Sequence, residues 1–200
     1  MLAGRFTCAL LLLTAIPAMK APQVRAALFG TNPGIKQTSQ PEGGHSAMTF
    51  SVTSPAFASG AAIPKPYTCE GTDISPALAW SGSPTQTAGL ALIVDDPDAP
   101  VGTWVHWVIW NLPGSAHQLQ ENVPKHERLD SGAAQGSNDF RKIGYNGPCP
   151  PPGKTHRYFF RLYALDGKLN LAPGATRKEL DAAMKGHILA QAEYMGTFRR

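Results

Sequence analysis

Twice in this chain a stiff turn rich in proline or glycine runs straight into a segment with strand patterning. The first is Asp95-Asp96-Pro97-Asp98-Ala99-Pro100, followed by Trp104-Val105-His106-Trp107-Val108-Ile109-Trp110-Asn111. The second is Gly144-Tyr145-Asn146-Gly147-Pro148-Cys149-Pro150-Pro151-Pro152-Gly153, followed by His156-Arg157-Tyr158-Phe159-Phe160. Proline fixes φ and glycine reaches conformations closed to other residues, so both turns interrupt any helix and deliver the chain into extended structure. If the two strands meet, carboxylates, two histidines, a tyrosine and glycine amides share one small polar pocket. With 20 glycines, 18 prolines and only 16% charged side chains among 200 residues, the rest of the chain follows the same plan of short strands and tight turns.

The flanking segments supply the frame. Met48 to Val52 alternates at strand period, and Ala77 to Trp80 is a short strand after the turn-rich loop Thr68 to Pro76. Gly89 to Val94 is almost wholly apolar, as expected of a central strand covered on both faces. On Trp104 to Leu112, strict alternation places Val105, Trp107 and Ile109 on one face and Trp104, His106, Val108 and Trp110 on the other. On the strand ending at Leu165, His156 and Tyr158 fall side by side with Phe160 and Leu162. Pro113 to Ile143 is a long polar connection, of a length that implies function or packing onto the body. Thr176 with Glu179 forms a capping-box pattern that predicts a helix to about Lys185, with Leu180, Ala183 and Met184 inward. His187 to Glu193 reads as a second helical turn, and Tyr194 to Phe198 as an edge strand. The fold expected is a mainly β, antiparallel sandwich of two sheets with one or two short C-terminal helices.

Residues 1–26 read as a secretory signal peptide, with Arg5 in the positive region and a short apolar run from Cys8 to Met19. That run is too short for a transmembrane segment. Residues 27–47 read as a flexible arm and residues 48–200 as one domain. Loss of the leader removes Arg5, Lys20 and Arg25 and no acid, lowering the formal charge from +4 to about +1. With no basic cluster interleaved with aromatics left, the sequence argues against a nucleic-acid partner. The chain is expected to be exported, periplasmic or secreted. Cys69 and Cys149 are then its only thiols, an even pair that admits a disulfide or two separate cysteines.

Three enzymatic constellations are conceivable on these residues and none is complete. Asp96, Asp98, His106 and His156 could be metal ligands, but no HExxH or other close ligand spacing is present. Asp95 and Asp96 would point to opposite faces of a strand, which does not suit a glycosidase pair. Ser75, followed by Pro76, lacks the nucleophile elbow GxSxG. A binding role needs less: imidazole, phenol and a glycine amide are all suited to hold phosphate-type oxygens.

At these residues the sequence resembles the phosphatidylethanolamine-binding protein family, also called the Raf kinase inhibitor protein family, and most the bacterial branch. The stretches that carry the resemblance are Ile74 to Trp80, Asp95 to Pro100 with Trp104 to Trp107, and Gly144 to Pro151 with His156 to Tyr158. The resemblance implies a two-sheet sandwich and a non-catalytic pocket for phosphate-type anions or phospholipid headgroups. Matched by motif, the ligand-binding set is Asp96, Asp98, Trp104, His106, Gly147, Pro148, His156 and Tyr158. In that set His106, His156, Tyr158 and the Gly147 amide are the anion-facing donors, Trp104 is a wall, and Asp96 orients a histidine or meets a headgroup amine. No cofactor and no metal are implied. The alternative expectation is a protein-interaction module, a protease or kinase inhibitor working through Pro113 to Ile143, with an unnamed partner. A homodimer is left open.

Overall fold

The computed structural model of the protein describes residues 49–200. The expected signal peptide, residues 1–26, and arm, residues 27–47, lie outside the described residues, as does Met48. In chain order the elements are β1 (Ser51–Thr53), β2 (Leu78–Ser81), β3 (Gly89–Asp96), β4 (Trp104–Pro113), β5 (Gln118–Leu119), β6 (Ala134–Gln135), β7 (His156–Leu165), α1 (Arg177–Met184) and β8 (Ile188–Phe198). They form a three-stranded sheet in the order β1-β2-β5 and a five-stranded sheet in the order β6-β4-β3-β7-β8, antiparallel throughout.

β3 sits at the centre of the larger sheet and is buried along its whole length, which is why its sequence shows no polar alternation. Its two faces serve two cores. Leu90, Leu92 and Val94 join Trp107, Ile109, Tyr158 and Phe160 against Val52, Leu78 and Trp80 of the smaller sheet. Ala91 and Ile93 join Val108, Trp110 and Leu165 against Leu180 and Met184 of α1. Each fully buried aliphatic side chain contributes about 1.5–3 kcal/mol. The surface ion pairs contribute about 0–1 kcal/mol each, so these layers carry the fold. α1 starts at the capping box expected: Thr176 accepts from the Glu179 amide, and the Glu179 carboxylate accepts from the Thr176 amide.

Two expectations are corrected. His187 to Glu193 is not helical; Ile188 to Phe198 is one long strand paired with the whole of β7. The strict alternation on β4 also fails. Val94 pairs with Trp107 but Asp95 with Val105, a bulge that leaves His106 as the extra residue. A second register shift lies at Asn111, where φ is +57°. Val105 therefore shares a face with Val108 and Trp110, while His106 stacks edge-on against Tyr158 in the inter-sheet core. The long connection from Pro113 is packed onto the body. Gln135 accepts from the Trp107 indole and donates to the carbonyls of Pro124 and His126, each at 2.7 Å.

Candidate functional site

β3 ends at Asp96, whose side chain is almost fully buried. Pro97 follows, and the chain folds back so that Asp96 Oδ1 accepts the Asp98 amide at 2.8 Å, an Asx turn that fixes the carboxylate. Its other oxygen, Oδ2, accepts from His156 Nδ1 at 2.7 Å, across from the first residue of β7. The bulge on β4 turns His106 towards the same place. There Nδ1 lies 2.6 Å from the Asn146 carbonyl oxygen, and the Asn146 amide returns a bond to the His106 carbonyl at 3.0 Å. Burial pushes the His106 pKa down, opposed in part by the Asn146 carbonyl and the Asp96 charge. His106 is therefore neutral at pH 7.

Asp96, His106 and His156 form the polar floor of a pocket of about 170 Å³. The rest of its lining is apolar: Trp104 and Phe140, the turn residues Ala99, Pro100 and Val101, and Cys149, Pro150 and Pro151. Phe140 packs edge-on to both Trp104 and His106, with centroids 5.4 and 5.3 Å apart. Cys69 and Cys149 are joined in a disulfide with Cα atoms 5.4 Å apart, tying the proline wall to the loop before β2.

Of the eight ligand residues expected, Asp96, Trp104, His106 and His156 line this pocket; the other four do not. The Gly147 amide, expected to face an anion, donates to Asp73 Oδ1 at 2.6 Å. Gly147 is glycine for a different reason, since a Cβ there would lie 2.2 Å from the Tyr67 carbonyl oxygen. Pro148 belongs to the same junction, its carbonyl accepting from the Cys69 amide. Asp98 is turned to Arg157, which holds it with two guanidinium bonds and one backbone bond and lowers its pKa to about 2. Tyr158 is fully buried against His106, and its hydroxyl meets no partner at full hydrogen-bond geometry, with the Asp96 carboxylate as its weak acceptor. Burial and the nearby Asp96 charge push its pKa up, so it stays protonated.

Three residues that hold the site were not singled out from the sequence. Asp73, at φ +56°, receives Gly147, the Asn146 side chain and Lys125. Asn138 is buried and donates to the carbonyls of His106 and Gly144 while accepting the amides of Phe140 and Lys142. The third is Phe140 itself. An Asp beside Gly71-Thr72, in a loop already read as turn-rich, was the one signal available; Asn138 and Phe140 carried none.

Among the described residues no group of three or more His, Cys, Asp or Glu side chains could hold a metal ion. Two other clefts are larger, of about 500 Å³ along Gln118 to Ser131 and about 280 Å³ beside Arg161 and Glu193. Neither joins buried titratable groups to unmatched nitrogens, and the arginine of the second is already paired.

Comparison with known proteins matches this architecture to one family. A family model described as phosphatidylethanolamine-binding protein matches residues 53–199. A UPF0098 protein of Methanothermobacter thermautotrophicus is 53% identical over 145 residues, covering 72% of this chain and 95% of that one. A phosphatidylethanolamine-binding protein homologue from Chlamydia trachomatis superposes with a TM-score of 0.70 at 43% identity, over 76% of this chain and 98% of that one. An Escherichia coli structure described as a new member of the mammalian family gives a TM-score of 0.71 at 33% identity, with the same coverage.

Proposed function

The chain belongs to the phosphatidylethanolamine-binding protein family, and from that premise we propose that it is a non-catalytic binding protein for phosphate-type anions or phospholipid headgroups. The observation that carries this reading is the pair of imidazoles on one pocket floor. Each uses Nδ1 on a protein acceptor, Nε2 has no hydrogen-bond partner among the described residues, and both residues line a cavity with apolar walls. A phosphate-sized head fits among Asp96, His106 and His156, while an attached carbon chain would run along Trp104, Phe140 and the prolines.

Chemistry on a phosphoester is a weaker fit. Among the described residues no lysine or arginine lines the pocket to take the charge that a phosphoryl transition state develops. Cys149, the sulfur in the wall, is tied up in the disulfide. Export is part of this proposal, supported by that disulfide and by the leader pattern of residues 1–26. The alternative role as a protein-interaction module draws support from the cleft along Gln118 to Ser131. The segment from Pro113 to Ile143 also places Leu119, Gln135 and Asn138 in the interior, so that role is tested by surface changes such as Arg128→Ala and not by deletion.

A thermal scan tests the binding reading. Phosphate or phosphoethanolamine at ten times its Kd adds about 1.4 kcal/mol and raises Tm by several degrees. His156→Ala weakens that protection several-fold. No shift in the wild-type protein at millimolar ligand overturns it.

A further inference from the structure

β8 is an outer edge of the larger sheet, and its two halves differ. From Met195 onward the edge is closed by the chain's own segment Gly60 to Ile63. The Gly60 amide donates to the Met195 carbonyl at 2.8 Å, the Thr197 amide to the Ala61 carbonyl at 2.9 Å, and the Ile63 amide to the Thr197 carbonyl at 2.7 Å. Backbone direction alternates along a strand, and the pairing with β7 runs without a shift from Ala190 to Phe198. The N–H and C=O of Gln191 and Glu193 therefore point outward, as those of Met195 and Thr197 do. Among the described residues no backbone group outside the sheet bonds to them.

An edge left open in this way is a template for another strand, and proteins that stay apart guard it with lysine, proline or short length. Ile188 to Glu193 holds neither lysine nor proline. Its one charge, Glu193, is neutralised by Arg161 of the neighbouring strand. The one irregularity, a register shift between Ala190 and Ile188, lies at its end. Three large hydrophobic side chains are exposed among the described residues, and two of them, Ile188 at 45% and Leu189 at 40%, are consecutive here. The cavity of about 280 Å³ lined by Arg161, Tyr163, Gln191, Ala192 and Glu193 belongs to the same place. Open backbone, exposed apolar side chains and a cleft thus coincide, at the end of β7 remote from His156.

We propose that this open half of β8 is the interface with a second copy of the chain, joined edge to edge so that the two larger sheets become one continuous sheet. A second copy is the occupant because the edge is complementary to itself. In antiparallel pairing about a two-fold axis at Gln191, each Gln191 donates to and accepts from its counterpart, and each Leu189 faces Glu193 of the other copy. No like charges are opposed, since Glu193 faces leucine and keeps its own arginine. The pairing stops short of Met195, so the closure by Gly60 to Ile63 stays intact. Gln191 shares a face with Arg161 and Tyr163, so the clefts of the two copies meet across the axis. This interface is independent of the binding role proposed above.

Sedimentation velocity of the chain recovered from an exporting host, over about 5 to 500 µM, tests it together with amide hydrogen exchange at both ends of that range. The expected result is a monomer–dimer equilibrium in which the Gln191 and Glu193 amides gain protection as the dimer forms. Leu189→Glu sets like charges opposite each other twice and should weaken dimerisation at least about tenfold. Gln191→Pro removes an N–H that makes no bond within its own sheet and should weaken it similarly. If neither variant folds, the concentration dependence of exchange in the wild-type protein decides alone. A monomer throughout the range, a dimer that leaves both amides in free exchange, or a dimer that either folded variant leaves unchanged overturns the proposal. So does protection that is independent of concentration and vanishes when residues 27–47 are removed, since it gives the edge to the chain's own arm. None of these outcomes bears on the ligand pocket.

Discussion

Asp95 and Asp96 are neighbours on one strand, both almost completely buried, yet they end in opposite kinds of site. Strand alternation sends Asp95 to the α1 side. There Arg177 Nη1 donates to it at 2.6 Å and Arg161 Nε at 3.3 Å. Those arginines continue to Asp181 and Glu193, and Arg161 also lies over the Phe159 ring at 4.7 Å. Every carboxylate there meets a permanent cation, so the network is closed and holds the start of α1 to the sheet. Asp96 points the other way and meets a histidine, whose second nitrogen stays unmatched. A buried carboxylate matched by arginines is structural; one matched by a titratable ring that opens on a cavity leaves a valence for a ligand.

Asp95→Asn should break the first side hardest. It leaves Arg161 and Arg177 half-paired beside a buried amide, and disrupting such a network by one partner costs about 3 kcal/mol. Because both arginines keep some solvent contact, the figure is taken at the low end of that effect. Urea denaturation should show the loss, while calorimetric affinity for the pocket ligand stays unchanged. A comparable fall in affinity would mean that the two sides are not independent.

The two sides also differ in how much of them could be read from sequence. β3, the capping box of α1 and the grouping of His156 with Tyr158 depend on local patterning, and local patterning was enough. The bulge at His106 depends on register with β3, which no pattern within β4 reports. The roles of Asp73 and Asn138 depend on hydrogen bonds to residues brought near by the fold, so their neighbours in sequence say little. His187 to Glu193 reads as helix because leucine, alanine, glutamine and glutamate favour it locally, whereas pairing along all of β7 overrides that preference. In the sequence the Gly147 amide looks available to an anion, since nothing nearby in the chain claims it. Only the structure shows Asp73 already holding it.

Acid should sharpen the contrast at lower energy. His106 has a folded pKa below its ordinary 6.5, so the unfolded chain binds its proton more readily. Its contribution to stability is full above pH 6.5 and is lost as pH falls below that value. Asp98 behaves alike in a lower window: its contribution is present above pH 3.8 and lost as pH falls towards about 2. With the Asp98 side chain 28% exposed and Arg157 more so, solvent screening limits that share to about 1 kcal/mol. Tm measured from pH 7.5 to 5 should decline in wild type and less in His106→Gln. An equal decline in both would assign the slope to other groups.

Asp96→Asn has the smallest expected effect on stability and the sharpest on polarity. Asp98's amide must still find an acceptor, so the new side-chain oxygen stays on that side of the turn and the amide nitrogen faces His156 Nδ1. That nitrogen can then only accept, which leaves Nε2 as the ring's donor. The amide keeps the shape of the carboxylate, its bond from the Asp98 amide and a contact to His156 Nδ1, so the stability loss is expected to stay below that of Asp95→Asn. Nitrogen chemical shifts of His156 should report the change at Nδ1, and the affinity for phosphate should change with it. Unchanged shifts with unchanged affinity would show that Asp96 does not orient His156.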